Sequence, residues 1–198
     1  MYHLSIQHMV LPRFIWRQAL FCLVLSFSTL LPPFVSAQNW LGATGTTNAW
    51  ETGANWSTGT VPDSAGTVVT VTNNSSISLG STRTIGTLNH YGSGNLVIGS
   101  TADANSILNL DNGVSAGVFN ITNSSGLVYV YSDLTGNNGF TKTGAGTLAF
   151  RYNTRNLNYS GPINLSAGKL VIDRDGSLGN AANDVSMGAG SVLVYQPG

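Results

Sequence analysis

Few side chains in this sequence could carry out chemistry, and they lie far apart. His90 is the only histidine after the first ten residues. A serine hydrolase needs such a base, together with an orienting acid, beside its nucleophile. The segment DGSLG (residues 175–179) reverses the first two residues of the G-D-S-L motif of esterases. The pattern therefore predicts a solvent-facing His90 on a strand and not a catalytic base.

A second candidate is the pair Asp173 and Asp175. On a strand, residues two apart face the same side, and paired carboxylates can cleave polysaccharides. Arg174 would point to the opposite face, and no other charged partner is adjacent. The DRDG segment also lacks the ligand spacing and final Glu of a calcium loop. A structural turn is favoured here, and calcium binding and catalysis remain alternatives.

Aromatic residues give a third candidate. Trp40, Trp50 and Trp56 cluster in the sequence, and exposed rings of this kind could contact a glycan. The same rings, if buried, would close the first turn of the fold with a large apolar area, and this cap is the favoured interpretation. Tyr129 and Tyr131 alternate with valines and could bind a ligand if exposed, although packing on a neighbouring coil is favoured.

The composition excludes several classes of protein. Charged residues make up 8% of the 198 residues and the formal net charge is zero, so no basic surface for nucleic acid is predicted. The hydrophobic fraction of 42% favours a packed fold over disorder. No metal-ligand spacing or cofactor motif is present, so we expect no cofactor.

Residues 1–37 are typical of an export signal. Arg13 and Arg17 precede an apolar run over 19–31, and Val-Ser-Ala ends at Ala37, which predicts cleavage between Ala37 and Gln38. The true start is Met1 or Met9. The run of 13 residues is shorter than the roughly 20 that a membrane-spanning helix needs. Cys22 lies in this segment, so the exported chain would contain no disulfide.

The remaining chain has the alternating pattern of short strands, separated by Gly, Asn and Ser turns. The phrases GAGTLAF (144–150), SAGKLVI (166–172) and GAGSVLV (188–194) recur every 22 residues. Such a period is typical of a repeat fold and predicts an all-β parallel β-helix, with an antiparallel sandwich as the alternative. We expect Lys142 and Lys169 to be exposed. The predicted stacks are a glycine corner of Gly146, Gly168 and Gly190 and an inward ladder of Leu148, Leu170 and Val192.

The segments GFTKTGAGTLAF (139–150) and NYSGPINLSAGKLVI (158–172) resemble the autotransporter-associated β-strand repeat, also called the passenger-associated transport repeat. Gly144 and Gly161 belong to the matching residues. The resemblance extends loosely to residue 193, and residues 50–71 are similar to the segment that precedes such repeats. It implies a right-handed β-helix in the passenger of a Gram-negative secreted protein, in which the repeat assists export.

The predicted organisation is a signal peptide at 1–37, a cap segment at 38–66 and β-helix repeats at 67–198, clearest over 139–193. No amphipathic strands of a membrane barrel follow, so we expect the chain to be the N-terminal part of a longer protein. The expected partners are an outer-membrane translocation machinery, or a barrel of its own beyond residue 198, and an unidentified surface glycan or protein. A polysaccharide-active β-helix enzyme and a glycan-binding module are the alternative functions.

Overall fold

A computed structural model describes residues 37–99, 106–151 and 157–197. In these ranges the protein is a parallel β-solenoid, which confirms the predicted all-β fold class and excludes the sandwich. Two short 3₁₀ helices, Gly53–Asn55 and Asp175–Leu178, interrupt the strands. The strands are β1 (Ala37–Asn39), β2 (Thr47–Ala49), β3 (Val68–Val71), β4 (Ser75–Ser78), β5 (Thr82–Ile85), β6 (Thr87–His90), β7 (Asn95–Ile98), β8 (Ile107–Leu110), β9 (Gly117–Ile121), β10 (Leu127–Val130), β11 (Asp133–Gly136), β12 (Phe140–Thr143), β13 (Thr147–Phe150), β14 (Leu157–Tyr159), β15 (Ile163–Leu165), β16 (Lys169–Ile172), β17 (Val185–Met187) and β18 (Val192–Tyr195).

The strands form three sheets. The first sheet has the order β1-β3-β6-β9-β12-β15-β17, the second β2-β4-β7-β10-β13-β16-β18, and the third β5-β8-β11-β14. Every paired strand is parallel to its neighbour, so each coil lies on the previous one at the strand-pairing distance of about 4.8 Å. A single coil buries little on its own, and stacking completes the core.

Alternate residues of each strand point inward and form apolar columns across the coils. In the second sheet Leu148 lies opposite Leu170, as the 22-residue period predicts, and both are fully buried. The next coil is one residue longer, so Leu193 and not Val192 lies opposite Leu170. The prediction for Val192 is therefore wrong by one residue; Val192 lies opposite Lys169 and is 45% exposed.

Glycines build the corner that leads from the first sheet to the second. A Cβ on Gly146 would overlap the side chain of Ile121 and the carbonyl of Asn123, so only glycine fits there. The Gly146 carbonyl accepts the backbone N–H of Lys169, and the Gly168 carbonyl accepts that of Val192. Ser191, which precedes Val192, thus takes the place in the stack predicted for Gly190. The φ angle is positive at Gly144, Gly161, Gly168 and Gly190.

The coils differ in length, although the strands stay in register. From Val71 to His90 the coil has 19 residues, whereas from His90 to Ile121 it has 31. Part of this extra length is the turn after β8, where Asn112 and Ser115 form an isolated bridge and Val114 is completely exposed. Corners therefore absorb insertions without disturbing the ladders.

The predicted cap segment is also part of the solenoid, since β1 pairs with β3 and β2 pairs with β4. The proposed cleavage point, Ala37–Gln38, falls within β1, where the Gln38 side chain accepts a hydrogen bond from Thr58 Oγ1 at 2.8 Å. The rest of the predicted signal, residues 1–36, lies outside the described residues. Within the described ranges, no helix has the length and apolar character needed to cross a membrane.

Candidate functional site

Trp40, Trp50 and Trp56 pack together beside the first strands of the solenoid. Trp56 makes edge contacts with the other two rings, with centroids 4.8 Å from Trp40 and 4.7 Å from Trp50. All three are at most 4% exposed. Their indole N–H groups donate to Ser75 Oγ, the Pro62 carbonyl and the Trp50 carbonyl, respectively. The faces that a sugar would stack on are therefore covered, which favours the cap over the glycan contact.

Arg83, in β5, connects the cap segment to the next coil. Its guanidinium lies 3.3 Å from Asp63 and 3.5 Å from Glu51, and its Nε donates to the Leu79 carbonyl. Asp63 also accepts the backbone N–H of Thr84 at 2.8 Å. The side chain of Arg83 is 12% exposed, so these contacts are partly shielded from solvent. The segment 51–63 is thereby fixed by hydrogen bonds and charge as well as by apolar burial.

Lys142 is fully buried, so the prediction of an exposed lysine at this position is wrong. In the first sheet it takes an inward place between Phe119 and Leu165. Its Nζ donates to three backbone carbonyls, those of Thr143 at 2.7 Å, Gly144 at 2.8 Å and Ala167 at 3.2 Å. The stem thus fills an apolar column, and the ammonium uses its three donors on the corner of two successive coils.

Burial also changes the acidity of Lys142. Loss of hydration lowers its pKa from 10.5 to about 8, because the charged form is disfavoured in the interior. The three carbonyls oppose this effect by hydrogen-bonding to the ammonium. At neutral pH the group is therefore a protonated lysine inside the protein, a structural cation with no acidic partner among the described residues. Lys169, in contrast, is exposed, as predicted.

His90 is also buried, and the prediction of a solvent-facing ring is wrong. Its Nδ1 lies 3.1 Å from the Val71 carbonyl and its Nε2 lies 3.0 Å from the Gly94 carbonyl. Each ring nitrogen thus lies within hydrogen-bonding distance of a backbone carbonyl, and the ring N–H donates to one of the two. A general base must reach a substrate proton, and this ring is enclosed.

The Asp173 carboxylate is held within the protein. Its side chain is 2% exposed and accepts hydrogen bonds from Ser177 Oγ and Arg174 Nε, both at 3.3 Å. β16 ends at Ile172, so strand alternation no longer applies and Arg174 turns toward Asp173, contrary to the prediction that it would point away. Asp175 begins a 3₁₀ helix, and its side chain is not among those described. Among the described residues no three acidic, His or Cys side chains form a metal site.

The burial of Lys142 and His90 had a signal in the sequence. Lys142 has the same strand parity as Phe140, and His90 has the same parity as Leu88, so alternation places both polar side chains inside. Residue type predicts an exposed lysine and an exposed histidine, whereas strand parity predicts that both are buried. The structure shows that parity decides, because the strand register fixes the direction of each side chain.

Tyr129 and Tyr131 lie on the outer side of the second sheet, since the alternate residues Val128 and Val130 are buried. Their ring centroids are 6.1 Å apart with the planes inclined by 41°, and both side chains are partly exposed. They contact one another on the sheet surface and do not fill the core, and the Arg151 guanidinium of the next coil lies over the Tyr129 ring.

The chain is similar to the adhesin BmaC autotransporter of Brucella suis biovar 1 (strain 1330), with 32% identity over 152 residues. The similarity covers 77% of this chain and 4% of that protein, so the chain spans only a small part of the relative's length. No protein-family description matches the chain. No solved structure matches it either.

Proposed function

We propose that this chain is part of the exported passenger of an autotransporter-like surface protein, in which it forms a non-enzymatic stalk with an adhesive role. The observation that carries the proposal is the continuous parallel solenoid together with its similarity to an autotransporter adhesin. A stack of coils is elongated along one axis and offers long side faces, which suits a structure that projects from a cell. The localisation follows: export through the inner membrane and display at the cell surface.

The side chains that could in principle carry out chemistry support a mechanical role instead. The His90 ring and the Asp173 carboxylate are both held in contacts within the fold. The Lys142 ammonium bonds only to backbone carbonyls among the described residues. Lys142 and His90 each connect two successive coils, and Asp173 stabilises the turn after β16. Stabilising contacts between coils are what a stalk needs.

The second part of the proposal is that folding assists export. The resemblance to the autotransporter-associated β-strand repeat suggests this role, and the energetics of a solenoid support it. Each coil contacts mainly its neighbours, so coils can fold one after another as the chain emerges. A folded coil cannot slip back through a narrow pore. The partner would be an outer-membrane translocation machinery or a barrel elsewhere in the same protein.

The double variant Leu148→Asp/Leu170→Asp tests this idea in the full-length protein in its own cells. Both leucines are fully buried in one column, so two carboxylates there would cost on the order of 4 kcal/mol or more and prevent stacking of these coils. We expect less protein at the cell surface, measured by protease accessibility on intact cells against the total in an immunoblot. The exposed Lys169→Asp on the same strand is the matched control. Unchanged delivery of the double variant would reject folding-assisted export.

A further inference from the structure

The outer face of the second sheet differs from that of the first. On the first sheet, outward Asn and Thr side chains bond to each other along the stack: Asn120 Nδ2 donates to Asn89 Oδ1, and Thr143 Oγ1 donates to Asn120 Oδ1, both at 3.1 Å. These polar groups satisfy one another. The corresponding outward column of the second sheet begins with two polar residues, Thr47 and Ser76. From there on it is apolar and aromatic, and it continues with Val97, Tyr129, Ala149, Val171 and Val194.

The accessible groups of this second-sheet face surround Tyr129. Tyr131 lies beside it, and the Arg151 guanidinium lies 5.8 Å from the centre of the Tyr129 ring. Arg151 Nη2 donates to Gln196 Oε1 at 3.0 Å, a contact that spans two coils. Ala149, next to Tyr129 in the column, is fully buried, so neighbouring side chains cover it. The result is an aromatic platform with a guanidinium and an amide at its edge.

The strands of the second sheet carry no acidic side chain, and the side chain of Asp173, which directly follows β16, is 2% exposed and bonded to Ser177 and Arg174. Of the described lysines and arginines, Arg83 and Arg174 form ion pairs and Lys142 is buried. The remaining two, Arg151 and Lys169, make no ion pair with any described residue; Arg151 directly follows β13, and Lys169 is the first residue of β16. By register they flank the outward column, one on each side.

We infer that this face, the Tyr129–Tyr131–Arg151 platform with Lys169, binds an acidic polysaccharide. This rests on the proposed function, because the glycan must be met outside the cell, and it names the class of ligand. The apolar face of a sugar ring packs on a tyrosine ring, and carboxylate or sulfate groups pair with Arg151 and Lys169. One exposed and one partly exposed cation are too few for nucleic acid, where the affinity depends on many phosphate contacts.

The test uses the purified full chain and three defined polymers: heparin and polygalacturonate, which are acidic, and dextran, which is neutral. Affinity is measured by titration calorimetry at low and at physiological salt. The variants are Tyr129→Val, Tyr131→Val, Arg151→Gln and Lys169→Gln; valine already occupies other places in the outward column and preserves the strand. Tyr91→Val is the matched control, because Tyr91 is 47% exposed and lies outside this face. Thermal unfolding of each variant shows whether the fold is retained.

We expect binding to at least one acidic polymer and none to dextran. Each tyrosine variant weakens binding about tenfold, and each charge variant weakens it about threefold at low salt. Binding to both acidic polymers would indicate recognition of charge in general, and binding to one would identify carboxylate or sulfate as the source. Equal binding to dextran, no binding at all, or binding that the tyrosine variants leave unchanged would overturn the inference.

Capture of a protein ligand with no affinity for either acidic polymer would also overturn it. The outcome is separable from that of the proposed function. Normal surface delivery without glycan binding rejects only the platform, whereas glycan binding by a protein that never reaches the surface rejects the stalk.

Discussion

The first and second sheets face one interior but fill it differently. The second sheet contributes apolar columns, for example Ile98, Val130, Phe150 and Ile172. The first sheet includes His90 and Lys142 at inward places. Both polar side chains bond to carbonyls at the corner where a first-sheet strand ends and the chain turns toward the second sheet. The comparison shows where a buried polar group is useful: beside a turn, where backbone carbonyls lie within reach of an inward side chain.

The largest effect is expected for Phe150→Ala in the apolar column of the second sheet. Phe150 is fully buried and makes edge contacts with Phe140 and Phe119, at 5.7 Å and 6.4 Å between ring centres. Loss of the ring should lower the free energy of unfolding by about 3–5 kcal/mol, measured by denaturant unfolding. A loss below 1 kcal/mol would contradict the close packing of this column.

Lys142→Met asks whether the buried cation of the first sheet stabilises the fold. Met retains most of the stem but removes three hydrogen bonds to backbone carbonyls, so we expect a loss of about 2 kcal/mol in the free energy of unfolding. Lys169→Met, on the exposed side of β16, is the control and should change it by less than about 0.5 kcal/mol. An increase in stability for Lys142→Met would mean that desolvation of the ammonium outweighs its bonds.

The lowered pKa of Lys142 predicts that the free energy of unfolding depends on pH. The folded pKa of about 8 lies below the unfolded value of 10.5, so between these values the unfolded chain binds more protons. The free energy of unfolding should therefore rise as the pH increases from 8 to 10, by about 2 kcal/mol, and Lys142→Met should abolish the rise. Above pH 10 burial of Tyr159, which raises its pKa, should reverse the trend. A flat profile in both proteins would contradict the buried charge.

The smallest effect is expected for His90→Phe, which keeps a flat ring in the first-sheet column. It removes the contacts with the Val71 and Gly94 carbonyls and should cost about 1 kcal/mol, measured by thermal unfolding. Tyr91→Phe, the exposed neighbour, should have no measurable effect. Equal stability of His90→Phe and the parent would show that the corner needs no donor at this coil.

The sequence was sufficient for the architecture but not for every register. The period of 22 residues placed Leu148 opposite Leu170, because identical spacing in successive coils produces stacked columns. It failed at Val192, since one extra residue in the corner shifts Leu193 into that place and no composition rule reports a single insertion.

Residue type alone favours the tryptophan cap, but its fixation by Arg83 and Asp63 depends on a turn that the sequence does not reveal. Outward placement of Tyr129 follows from parity, whereas its pairing with Arg151 requires the register between coils.

The variable coil length has a consequence for how such a surface changes over generations. The turn at 111–116 projects Val114 fully into solvent, and the adjacent ladders continue on both sides of it. Substitutions and short insertions there alter no column, whereas a change in a strand alters two neighbouring coils at once. Antibodies against this protein would therefore favour amino-acid changes in the corner turns, whereas the sequences of the strands would stay constant. For the same reason, residues 112–115 are the place to graft a foreign epitope on the protein.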